Sequence, residues 1–112
     1  TDDTAQYNTA YGLTALDAIT TGDNNTAVGY AAGGALTTGV KGTIVGYGAG
    51  AAVVSAQNVT LMGYNAGTAN TAHELTAFGS EAALGNTSGG GITAIGREAY
   101  KVADTETHKL YW

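Results

Sequence analysis

The sequence predicts an all-β protein: a parallel β-solenoid (β-roll) of six coils of about 17 residues each, built as an intertwined homotrimer. Three observations carry this. Thr-x-x-Gly recurs six times, as TAYG (9–12), TAVG (26–29), TIVG (43–46), TLMG (60–63), TAFG (76–79) and TAIG (93–96). The steps between glycines are 17, 17, 17, 16 and 17 residues, and an alanine follows each glycine by three: Ala15, Ala32, Ala49, Ala66, Ala82 and Ala99. Between the fixed Thr and Gly, both variable positions are apolar in every copy.

Taken in order, residues 1–7 (TDDTAQY) read as a polar N-terminal arm, residues 8–96 as the repeat region, and residues 97–112 as a C-terminal capping segment. A 17-residue period is too short for a helical hairpin but fits one solenoid coil of short strands and Gly/Asn/Thr turns. In NTAVGY (25–30), alternation puts Thr26, Val28 and Tyr30 on one face and Ala27 with Gly29 on the other. A second short wall follows in each coil: Leu16 to Gly22, Ala35 to Gly39, and AAVVSA at 51–56. Stacked at about 4.8 Å, six coils make a block roughly 29 Å tall in which equivalent residues form ladders. A strand apolar on both faces is buried on both. The larger face is therefore expected inside the coil, and the small Ala/Gly face against another copy.

Composition supports an assembly. Eighteen glycines with no proline and few charges do not describe ordinary disorder, and alanine supplies much of the hydrophobic content. Bulky core formers are sparse and there is no cysteine for a disulfide, so association is the natural source of further stability. A net charge of −5 with four basic residues disfavours nucleic acid. The acidic first residues are not a secretory signal, and no apolar run reaches membrane length.

No residues assemble into recognisable catalytic, cofactor or metal chemistry, so the expectation is a protein that is not an enzyme and has no cofactor. His73 and His108 are 35 residues apart with no cysteine, and His73 in NTAHEL (70–75) reads as a turn residue. Glu81 and Glu98 fall at equivalent repeat positions, so they should stack on adjacent coils of a solvated face, with Arg97 near to relieve repulsion. GYGAG (46–50) lacks the spacing of a dinucleotide loop, and the repeat accounts for its glycines. Asn24, Asn58 and Asn86 open N-glycosylation sequons but read as turn residues. Tyr30, Tyr47 and Tyr64 form a ladder over three coils, either stacked along the solenoid or serving as glycan or interface contacts. The threonine row from Thr9 to Thr93 lacks the second threonine column of an ice-binding array, because its neighbour is Ala/Ile/Leu. Charge gathers at the ends, where it blocks edge-to-edge stacking. Asp2, Asp3, Tyr7, Arg97, Lys101, Lys109, Tyr111 and Trp112 are therefore the candidate partner contacts, with Tyr111 and Trp112 packing under the last coil or onto a partner.

The NTAVGYAAG…LTTG units resemble the Gly/Asn/Thr-rich repeats of phage tail-fibre and related virion proteins. They are also similar to the head repeats of trimeric autotransporter adhesins, in which an N-S-x-A-x-G pattern builds a trimeric left-handed β-roll. The closing HKLYW (108–112) resembles the segments that end such arrays. The likeness spans residues 7–112, with a repeat longer than that of the adhesins. It implies a homotrimeric structural protein of a virion. Taken as a self-contained block, the chain is expected to be a capsid decoration (cement) protein that meets the major capsid protein through residues 1–7 and 97–112. The alternative is a tail-fibre or adhesin head that binds host surface glycans.

Overall fold

The computed structural model describes residues 4–101 and 109–112. Seven short strands form one parallel sheet in chain order: β1 (Thr9–Tyr11), β2 (Thr26–Val28), β3 (Thr43–Val45), β4 (Thr60–Met62), β5 (Thr76–Phe78), β6 (Thr93–Ile95) and β7 (Leu110–Tyr111). The register follows the motif, with Thr9 beside Thr26, Thr26 beside Thr43, and so through Thr93. This is a β-solenoid of about six turns. Parallel neighbours need a crossover of a dozen or more residues. The 14 residues between Val28 and Thr43 supply one by running across a second wall and back.

Each coil turns at two corners that use left-handed backbone. After β2, Gly29 has φ 131°, Ala31 53° and Gly33 58°, and Gly46, Gly48 and Gly50 repeat the sequence at 133°, 65° and 56°. The second corner uses Asn24, Lys41, Asn58 and Glu74 at φ 55–61°. Left-handed conformation costs an L-residue about 1–2 kcal/mol. Its recurrence at fixed coil positions marks it as the winding itself. Backbone bonds between coils offset that cost: Gly33 N donates to Ala49 O at 2.9 Å, and Lys41 N to Asp23 O at 3.0 Å.

The core is one side chain deep. Leu36, Ile44, Val53, Val59, Leu61, Leu75 and Ile92 fill it, with Ala27, Ala32, Ala49, Ala66, Ala77, Ala82 and Ala94 between them. The strand faces are therefore opposite to the expected arrangement. The middle residues of β2 to β6 (Ala27, Ile44, Leu61, Ala77 and Ala94) point inward and are fully buried. The larger third residues point out, with Val28 36% and Phe78 52% exposed. The reason is volume. Leu36 and Val53 on the second wall, with Val59, Leu75 and Ile92 at the second corner, already occupy the interior. The strand wall then has room for alanine in three of those five coils.

Polar side chains tie the coils together. Asn25, fully buried, donates from Nδ2 to Gly39 O and accepts from Gly42 N, both at 2.8 Å. Asn8 does the same for Gly22 O and Asn25 N. In later coils the buried asparagines change corners: Asn86 donates to Asn70 Oδ1 at 2.8 Å and to Gly89 O at 3.0 Å. The Thr20, Thr37 and Thr71 hydroxyls each donate to a carbonyl of the next coil. Among the described residues, no buried side-chain polar atom lacks a partner.

Residues 5–7, expected in a polar arm, instead run in coil register. Ala5 N donates to Thr20 O, and Gln6 O accepts from Asn24 N. At the other end, part of the expected cap is a seventh strand, with Leu110 beside Thr93 and Tyr111 beside Ala94.

Candidate functional site

The outward side of the sheet carries the candidate site. Alternation along each strand sends the first and third residues out, and the left-handed glycine that follows carries the pattern into the corner. Three columns result. Threonines from Thr9 to Thr93 form the first, and the second is Tyr11, Val28, Val45, Met62, Phe78 and Ile95. Trp112 follows β7 at the same coil position and is 87% exposed. The third column is Leu13, Tyr30, Tyr47, Tyr64, Ser80 and Arg97. Down to Ser80, none of the three columns contains an ionisable acid or base other than tyrosine.

The three tyrosines stack as the sequence predicts. Tyr30 and Tyr47 have ring centroids 5.0 Å apart at 22°, and Tyr47 and Tyr64 5.6 Å apart at 20°. They remain 46–56% exposed although stacked. The glycine before each of these tyrosines is required by the backbone of the neighbouring corner. A Cβ on Gly29 would lie 2.6 Å from Gly46 O in the coil below, so only glycine lets successive corners nest.

Of the remaining predicted residues, Arg97 and Lys101 meet on Glu98; Lys109, Tyr111 and Trp112 adjoin at the last strand; and Tyr7 lies at the opposite end. Tyr7 is an exposed left-handed residue at the N-terminal end. Glu81 and Glu98 occupy equivalent corner positions on adjacent coils, as expected. Lys101, whose part was not foreseen, has its Nζ 3.5 Å from both carboxylates, while Arg97 pairs with Glu98 at 2.8 Å. Tyr111 turns into the solenoid end and stacks on Tyr100 at 4.3 Å, whereas Trp112 beside it faces out. Lys109 is exposed and its carbonyl accepts from Thr93 N. Asp2, Asp3 and His108 lie outside the described residues.

His73 is a corner residue whose Nδ1 accepts from Gln57 N at 2.9 Å. Asp23 accepts from Gln6 N at the equivalent place, so imidazole and carboxylate do the same structural work there. Asn24 and Asn58 are exposed left-handed turn residues, while Asn86 is buried with its amide committed. The neighbour of the threonine column on the outer face is the uneven apolar column, so no flat paired threonine array forms. Among the described residues, no group of three or more His, Cys, Asp or Glu is placed to hold a metal ion. Neither a protein-family model, a curated protein nor a solved structure matches the chain.

Proposed function

We propose that this chain is a non-catalytic structural module that assembles as a homotrimer through its outward strand face and serves on the surface of a phage virion. The observation behind the assembly is the exposed apolar column from Tyr11 to Ile95, continued by Trp112 and flanked by threonine and tyrosine. At about 4.8 Å per coil and about 7 Å between columns, this face, its threonine column included, covers on the order of 400 Å², within the roughly 300–600 Å² of the largest patch on a typical monomer, which is often functional. Its side chains are unequal in size, with Tyr11 and Trp112 at the ends and Val28 and Val45 between. Copies arranged in parallel about an axis along the solenoid bring each level against itself, whereas antiparallel pairing would place Tyr11 against Trp112.

The virion setting rests on the repeat's resemblance to phage and adhesin arrays. Within it, the reading is a capsid decoration protein, with a tail-fibre or adhesin head that binds host surface glycans as the alternative. The decoration reading draws on Trp112, a large exposed aromatic at one end that a capsid lattice would cover.

Mass determination by light scattering tests the assembly. The wild-type protein is expected at three times the chain mass at micromolar concentration. Val45→Asp with Phe78→Asp is expected at one chain mass with the β-sheet circular dichroism retained, because both side chains point away from the core. A folded wild-type monomer refutes the assembly. Antibody label on whole particles tests location, with label along the tail supporting the fibre reading and label across the head the decoration reading.

A further inference from the structure

The tyrosine column stops at a defined place. In the coil below Tyr64 the equivalent residue is Ser80, and one coil further it is Arg97. Ser80 has no ring, so the level is unfilled by its own column. Among the described residues, Tyr64 makes no ring contact beyond the one to Tyr47. At about 4.8 Å per coil, the Tyr64 and Arg97 levels are about 9.6 Å apart. That leaves space for one ring at the spacing the tyrosines keep among themselves, 5.0 to 5.6 Å. The level lies at the rim of the sheet, just past Gly79, and Phe78 stands beside it in the next column, half-exposed.

The polar groups around this level have a particular balance. Arg97, whose side chain is 77% exposed, holds Glu98, and Lys101 reaches both Glu81 and Glu98. Two cations and two carboxylates give no net local charge, within a chain of net charge −5. Arg97 retains guanidinium donors beyond the one engaged, the carboxylates retain acceptor lone pairs, and the Ser80 hydroxyl both donates and accepts. An aromatic face beside such groups suits a ring with one C–H face and hydroxyls around its edge.

We propose that the Ser80 level is a binding slot for a single neutral pyranose unit of a glycan. The sugar's C–H face stacks on Tyr64, its edge packs toward Phe78, and its hydroxyls reach Ser80, Arg97, Glu81 and Glu98. A nucleobase also has a flat face, but the acidic chain repels the phosphates attached to it. A uronic acid meets the same unfavourable overall charge. The slot borders the face proposed above for assembly and shares Phe78 with it, so it rests on that assembly leaving the tyrosine rim open to solvent. A trimer that binds no pyranoside overturns the slot alone, and a monomer that binds one overturns the assembly alone. The tyrosine ladder has a role here only through its last ring.

Saturation-transfer NMR and calorimetric titration of the full chain test this, using the methyl pyranosides of glucose, galactose and mannose, N-acetylglucosamine, and glucuronate as the acidic arm. At least one neutral pyranoside is expected to bind, and more tightly than glucuronate. Ser80→Tyr extends the ladder through the slot and is expected to weaken binding at least about tenfold, or about 1.4 kcal/mol, with folding and oligomeric state unchanged. Tyr64→Ala is expected to weaken it similarly, and Tyr30→Ala, at the far end of the ladder, by less than about twofold. Absence of pyranoside binding, wild-type affinity in Ser80→Tyr, equal losses in Tyr30→Ala and Tyr64→Ala, or a preference for glucuronate each overturns the proposal.

Discussion

Replacing Gly29 with alanine tests the winding of the coil directly. Gly29 has φ 131°, a conformation L-residues rarely adopt, and holding alanine there costs about 1–3 kcal/mol. The added Cβ would lie 2.6 Å from Gly46 O and 2.7 Å from Gly46 C, about 0.8 Å short of ordinary contact with the oxygen. Relief requires the two coils to part locally. That strains the bonds from Gly46 N to Val28 O, 2.8 Å, and from Gly48 N to Tyr30 O, 2.9 Å, which join these two coils, at about 1 kcal/mol for each bond lost. The combined loss is about 3–5 kcal/mol. For a domain of this size that lowers the melting temperature by roughly 12–20 °C, at about 4 °C per kcal/mol. Gly90→Ala is the control, because its Cβ meets only His73 O at 3.4 Å and its φ is outside the left-handed region. It is expected to be neutral or stabilising by up to about 1 kcal/mol. Circular-dichroism melts and urea titrations at one fixed protein concentration make the comparison, since association shifts apparent stability. A Gly29→Ala melt within about 3 °C of wild type would show that coil nesting does not require glycine.

Ala49 is fully buried in a column that stays alanine in all six copies, so Ala49→Leu is expected to destabilise by about 1–3 kcal/mol through overpacking. An unchanged urea midpoint would contradict the inward placement of that column. Asn25→Ala leaves Gly39 O and Gly42 N without their partner inside the solenoid and is expected to cost about 2–4 kcal/mol. The same substitution at the exposed Asn24 should cost well under half of that in the same titration, because no side-chain bond there is broken.

How far the sequence reaches can be seen residue by residue. The Thr-x-x-Gly spacing determined the solenoid, the number of coils and the parallel register, because a strict period leaves each copy only its counterpart as a neighbour. The same logic gave the tyrosine ladder and the adjacent placement of Glu81 and Glu98, which follow from register alone. Side-chain size along one strand could not say which face turns inward. Val28 and Phe78 are large enough for a core, yet they lie outside because Leu36 and Val53 arrive from the opposite wall and fill the narrow interior. The left-handed corners at Leu16, Lys41 and Glu81 were equally hidden, since those residue types carry no turn signal and adopt the conformation only because bonds to neighbouring coils hold them there. The gap at Ser80 combines both sources. The column is written in the sequence, and its orientation toward solvent beside Tyr64 and Arg97 was decided by the coil's limited interior volume.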